Sequence, residues 1–239
     1  MRVTAEPGYL IHSTPYRESS LLVDIFTQRY GRLRCVAKGV RKAGKKGGGG
    51  RPPLFVEHNF SWTGRGELKT LTAAESRGAA CFLQGEPLFK GLYINELFYH
   101  LLHEHDPHPQ LYQNYHWLIQ QLIERDIDEI DLRMMEMVLL DQLGYGLALH
   151  SEALSGEMLK AQNWYCYQPD QGVVEAGSGH TARYSGAQLT AIAKRDFTAL
   201  EVRRAAKQLL RQVIDFYLGG RTLHSRRLYR QFLNRGEGE

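Results

Sequence analysis

The chain has 239 residues, 43% of them apolar and 23% charged, with a net charge of +4 and three cysteines. That length suits one large domain or two to three small ones around a sizeable core. The distant cysteines Cys35, Cys81 and Cys166 form no CxxC pair and exclude a disulfide-built scaffold. No N-terminal apolar stretch resembles a signal peptide, and no run approaches the ~18 apolar residues of a membrane span. A reducing cytoplasm and no membrane partner are expected.

The charge is unevenly spread. Residues 1–80 hold 14 Lys/Arg against 6 Asp/Glu, residues 81–180 hold 4 against 15, and residues 181–239 hold 12 against 5. Two basic ends flank an acidic middle, which points to a polyanion partner for the ends. Three solvated surfaces without a partner are the plainer explanation.

The first 80 residues read as strands and turns: 9–13, 19–27, 32–38, 54–62 and 67–72. In the third, Arg32 and Arg34 fall on one face and Leu33 and Cys35 on the other. Five short strands in so short a span suggest a small closed barrel, for which the OB-fold is the common choice. Between strands three and four, residues 39–53 hold five basic residues, six glycines, two prolines and no acid. Such a segment packs no core and reads as a flexible cationic loop.

From Pro87 the period changes to 3–4 residues, and helices are expected over 88–102, 111–123 and 131–143. Asp131 lies in the first turn of the third, and Gly144 stops it. A weak hairpin is expected at 164–167 and 172–174. Helices follow at 185–193, about 198–218 and about 225–232, the last two separated by Gly219-Gly220. The fold class is α+β: an N-terminal OB barrel (1–80), a helical bundle (81–146) and a small mixed C-terminal region with basic helices (147–239).

No phosphate loop, nucleophile elbow or HExxH is present. His100, His103, His105 and His108 cluster at the end of the first helix, near Glu104 and Asp106. A transition metal accepts that mixture, but a polar, acidic surface loop between helices is the expected reading. No nucleophile–base pair stands out, so no enzyme, no cofactor and no metal are expected.

The basic groups carry more. Arg32, Arg34, Lys38, Arg41, Lys42, Lys45, Lys46 and Arg51 make one patch, with Tyr16, Tyr30 and Trp62 as aromatics able to face a base. Phe26 and Phe60 read as core. Arg203, Arg204, Lys207 and Arg211 recur on one helix face, followed by Arg226 and Arg227. The arginine excess favours phosphate contact. Neither patch holds a base-reading motif, so little sequence preference is expected. An RNA-binding OB module or a protein-only scaffold remain alternatives.

Several stretches occur together in order. They are residues 15–27 (PYRESSLLVDIFT), 31–39 (GRLRCVAKG), 64–71 (GRGELKTL), 91–97 (GLYINEL), 143–146 (LGYG), 216–220 (FYLGG) and 225–229 (SRRLY). The set resembles the bacterial recombination mediator family RecO. The resemblance implies an OB domain, a helical bundle and a small C-terminal domain. It also implies DNA repair and recombination in the RecF pathway: binding of ssDNA and dsDNA, annealing of complementary strands, and cooperation with RecR in loading RecA on strands coated by single-strand-binding protein. Contact with that protein's acidic C-terminal tail, and a cytoplasmic, nucleoid-associated location, follow from it too. Some members carry a four-cysteine zinc site in the C-terminal region. Only Cys166 lies there in this chain, so it resembles the branch without zinc. The family's tail-binding groove maps to the helical region, where Arg133 is one of four basic residues between 81 and 180. An anion-binding role would explain it, as would a surface pairing with Asp131 or Glu136.

Overall fold

A computed structural model describes residues 2–40, 50–78, 82–125, 127–176 and 183–236. The arrangement is α+β: an N-terminal five-stranded barrel, central helices, and a small C-terminal region of sheet and helices. Backbone contacts divide the chain into two compact units, one of Met1–Asp126 with Leu223–Glu239, the other of Ile127–Thr222.

The first unit is built on strands β1 (Arg2–Tyr16), β2 (Ser20–Thr27), β3 (Gly31–Ala37), β4 (Glu57–Thr63) and β5 (Lys69–Ser76). They close in the order β1-β2-β3-β5-β4, with β3 and β5 parallel and the other pairs antiparallel. β1 is far longer than its apolar run suggested. Its first half pairs with β4 and its second half with β2, so one strand serves two neighbours. Register shifts near Ala5 and Ile11 let it bend to do so. Inward positions alternate along β4 and β3, and Leu10, Ile25, Leu33, Cys35, Phe60 and Trp62 fill the interior.

The outer face of β1 and β2 carries Tyr9 and Phe26, both fully buried. Helices α1 (Gly85–Leu101) and α2 (Pro109–Glu124) supply the cover, placing Phe98 and Tyr115 in edge contact with Phe26. Pro109 opens α2, where its missing N–H costs nothing. Helix α6 (His224–Gly236) returns to this unit and packs on α1. Glu96 of α1 caps its N-terminus from a distance. Its carboxylate accepts from the His224 and Ser225 backbone N–H groups and from the Ser225 hydroxyl, at 2.6–2.9 Å.

The second unit holds α3 (Glu129–Gln142), a sheet of order β7-β6-β8 made of β6 (Trp164–Gln168), β7 (Gly172–Glu175) and β8 (Tyr184–Ser185), then α4 (Gly186–Ala193) and α5 (Leu200–Tyr217). Asp128 and Ser185 start α3 and α4 with reciprocal capping boxes. The apolar face of α5, including Leu209, Leu210, Val213 and Ile214, forms this unit's core with Leu189 and Ile192. The central helices therefore divide, α1 and α2 with the barrel and α3 with α5.

Candidate nucleic-acid interface

Charge follows the units rather than the sequence thirds. The return of α6 gives the first unit 20 Lys/Arg against 14 Asp/Glu, while the second has 10 against 12. The positive excess sits on the barrel unit.

Within the first patch the side chains have different fates. Lys38 at the end of β3 and Arg51 before β4 are exposed. Arg17, which stands outside any basic run in the sequence, is exposed in the β1–β2 turn and lies over the Tyr16 ring at 5.1 Å. Leu21 pairs with Ala37, so this turn and Lys38 share one end of the barrel. Arg41, Lys42, Lys45 and Lys46 lie outside the described residues.

Arg32 and Arg34 do not belong to that surface. Both face Asp24 of β2, which is only 2% exposed, at 2.8 and 3.1 Å. Arg32 is itself 11% exposed and also donates to the Leu102 carbonyl and pairs with Glu104. Arg34 donates to the Tyr99 hydroxyl. The alternation in β3 holds, yet its polar face is partly covered by the end of α1. Burial pushes the Asp24 carboxyl up, but the His12 imidazole 3.6 Å away and the charges of Arg34 and Arg32 outweigh it and hold it below its ordinary range. This is an internal charge cluster, and the two arginines are withdrawn from the candidate interface.

Of the aromatics, Trp62 is buried in the barrel and Tyr30 stands against it edge to face, at 5.3 Å. Tyr16 is half-buried at the other end.

The second patch is split between units. Arg203, Arg204, Lys207 and Arg211 are exposed on α5, as their spacing required. Arg203 also donates to the Phe197 carbonyl, Lys207 pairs with Glu129, and Arg211 lies 3.7 Å from Asp215. Arg204 has no acidic partner among the described residues. Arg226 and Arg227 belong to α6, Arg226 half-buried over Tyr93 and Arg227 exposed. Arg183, also missed, lines a shallow recess of the second unit with Arg211. Neither missed arginine sits in a run, so only its place beside a strand end marks it.

Arg133 on α3 is 12% exposed and pairs at 2.7 Å with Glu136, which is completely buried. Among the described residues the Arg133 Nε has no hydrogen-bond partner. The four histidines do not converge. His100 stands 4.0 Å from Glu96 and His108 3.3 Å from Asp106, while His103 and His105 are exposed. Among the described residues no three His, Cys, Asp or Glu side chains are placed to hold a metal ion. Nor, among them, is any helix long and apolar enough to cross a membrane.

Residues 1–79 match the family model for the recombination protein O N terminal, and residues 85–227 match that for its C terminal. The DNA repair protein RecO of Methylococcus capsulatus is 42% identical over 96% of this chain and 94% of its own length. Those of Stutzerimonas stutzeri and Pseudomonas aeruginosa are 42% and 41% identical, over 94% and 98% of this chain and 92% and 96% of their own. The chain belongs to the RecO family. It is thus a member of a DNA repair and recombination family, and its barrel is the RecO N-terminal OB domain. The two RecO family models meet at the link between β5 and α1, whereas the compact units place α1, α2 and α6 with the barrel.

Proposed function

We propose that this RecO family member is a recombination mediator without catalytic chemistry or cofactor. It binds ssDNA and dsDNA, brings complementary strands together, and with RecR helps load RecA on ssDNA coated by single-strand-binding protein. It acts in the cytoplasm, at the nucleoid. One observation carries the reading: the positive excess is gathered on the unit that contains the OB barrel. Lys38 and Arg51 stand at one end of that barrel with Arg17, the sequence between them carries Arg41, Lys42, Lys45 and Lys46, and Arg226 and Arg227 belong to the same unit. Arg203, Arg204, Lys207 and Arg211 offer a separate face for a second strand. Basic side chains neutralise phosphates and release counterions, which lowers the repulsion between two strands. On the protein side, Arg133 takes the acidic tail of single-strand-binding protein.

The test is an annealing assay on strands coated by single-strand-binding protein, comparing wild type with Lys42→Gln/Lys45→Gln/Lys46→Gln and with Arg204→Gln/Lys207→Gln. Each is expected to slow annealing. Wild-type rates in both would overturn the proposal. The salt dependence of duplex binding gives the number of contacts. Neutralising three phosphate-binding lysines is expected to flatten the log–log slope by about 2.7. A slope insensitive to those lysines would remove them from the interface.

A further inference from the structure

The barrel unit contains a recess of about 290 Å³ lined by Tyr30, Leu33, Trp62, Lys69 and His105. It lies where the β2–β3 turn, the end of β4 and the start of β5 meet, the end of the barrel away from Lys38 and Arg51. Leu33 and the Tyr30–Trp62 corner make its walls apolar. Two polar groups line it.

The first is Lys69, only 9% exposed. Its ammonium donates to the Gly66 carbonyl at 2.5 Å, and no carboxylate among the described residues pairs with it. Burying an ammonium without a counter-charge is unfavourable. An acceptor supplied from outside would relieve it.

The second is His105, which the α1–α2 connection carries across the barrel mouth. Its backbone is left-handed, with φ 62°, and its N–H donates to the Arg32 carbonyl at 2.8 Å. Gly31, at φ 65°, makes the approach possible. A Cβ there would stand 2.0 Å from the Asp106 carbonyl oxygen. A non-glycine residue stays in that region only where its surroundings impose it, and such positions gather at ligand sites. The contacts that pin this loop also hold the imidazole at the recess.

We infer that this recess takes one unstacked nucleobase of single-stranded DNA, its ring against Tyr30 and an exocyclic carbonyl oxygen accepting from the Lys69 ammonium. The inference rests on the DNA-binding reading above and names what one site does within it. The volume is at the lower end of small-ligand sites, roughly 300 Å³, which suits one base and excludes a base pair. Aromatic walls suit a π-face, and stacking on them tolerates any sequence. Thymine, cytosine and guanine carry carbonyl oxygens for the lysine. A bare phosphate would gain nothing from Leu33 and the aromatic corner. Arg2 and Arg65, both exposed, are available for the flanking phosphates, since Arg2 pairs with Thr63 next to the turn that holds Arg65. A base already unpaired enters without the cost of leaving a duplex, so the site favours single strands.

The experiment uses the full chain and two strands of equal length and charge, oligo(dT) and its fully abasic counterpart. Wild type, Lys69→Met and His105→Ala are compared, with folding checked by circular dichroism. Wild type is expected to bind oligo(dT) about tenfold more tightly than the abasic strand, and both variants to shrink that gap. In a Trp117→Phe/Trp164→Phe chain, Trp62 is the only tryptophan, and oligo(dT) but not the abasic strand is expected to change its emission. Equal binding of the two strands by wild type, or an undiminished gap in the folded variants, overturns the inference and leaves phosphate binding intact. Failure of both strands to bind overturns both. If Lys69→Met does not fold, His105→Ala, at an exposed position, decides alone.

Discussion

Replacing Asp24 by Asn removes the one carboxylate that Arg32 and Arg34 share, while keeping its shape. At 2.8 Å the Arg32–Asp24 attraction is roughly 6 kcal/mol for an effective dielectric near 20, partly offset by desolvation. Removing one partner of a buried pair costs about 3–5 kcal/mol. Arg34 is one-third exposed, so its share is screened and adds at most about 1 kcal/mol. For a chain of this size a loss of 3–5 kcal/mol lowers Tm by roughly 6–20 °C. Circular dichroism melts at neutral pH measure it. The carboxyl is held below its ordinary range in the fold, so its contribution is fully present above the unfolded value of about 3.9 and is lost as pH falls through the folded one. The gap between wild type and Asp24→Asn is therefore expected to persist from neutral pH to about 5 and to close in stronger acid. Arg32→Met should likewise lower Tm and leave the salt slope of DNA binding unchanged. A Tm drop under about 3 °C in Asp24→Asn, or an Arg32→Met chain that keeps its Tm and loses DNA affinity, would refute the structural assignment.

Glu96→Gln is expected to loosen α6 from α1, because it weakens three hydrogen bonds at the α6 N-terminus, with a loss of about 1–2 kcal/mol. Amide exchange over residues 224–234 reads it directly, and unchanged protection there would exclude Glu96 as the cap. Burial raises the Glu96 pKa, but the Ser225 hydroxyl and the Ser225 and His224 N–H groups hold it below its ordinary value, so the cap weakens as acid protonates it. Arg133→Met should cost about 3–5 kcal/mol by stranding the buried Glu136 carboxylate, and adding Glu136→Gln should recover most of it. The double variant separates folding from recognition: if it binds the acidic tail peptide of single-strand-binding protein as wild type does, Arg133 is not the tail's partner.

Elements with a clean local period were legible in the sequence. The alternation of β3 and the 3–4 spacing of α1, α2 and α5 gave both type and buried face. β1 was not, because Ala5, Pro7 and Gly8 break its apolar pattern, and its length comes from two successive partners joined through bulges. The fate of Arg32 and Arg34 was hidden for a related reason. Their outward direction was readable, but the register that sets Asp24 opposite Arg34 and the helix that covers them are tertiary facts. Lys69 looked like any strand lysine. Only the closure of β5 on β3 and the arrival of His105 from a segment 36 residues later make its surroundings apolar.

The acidic middle of the sequence takes on a different meaning when its partners are named. Glu104 holds Arg32, Glu136 holds Arg133, Asp141 holds Arg195, Glu129 meets Lys207, and Glu96 caps α6. These acids fix or occupy cations inside each unit instead of forming a separate negative surface. The pairings of Lys207 and Arg195 are exposed and weak, whereas that of Arg32 with Asp24 is desolvated. A count of basic residues therefore overstates the DNA interface, and burial of the partner carboxylate decides which ones to subtract. By that criterion Arg32 and Arg34 drop out of the first patch, while Lys38 and Arg51 stay with the cations of the 41–49 segment. On the α5 face all four basic residues remain available, Lys207 included, because Glu129 is itself solvated.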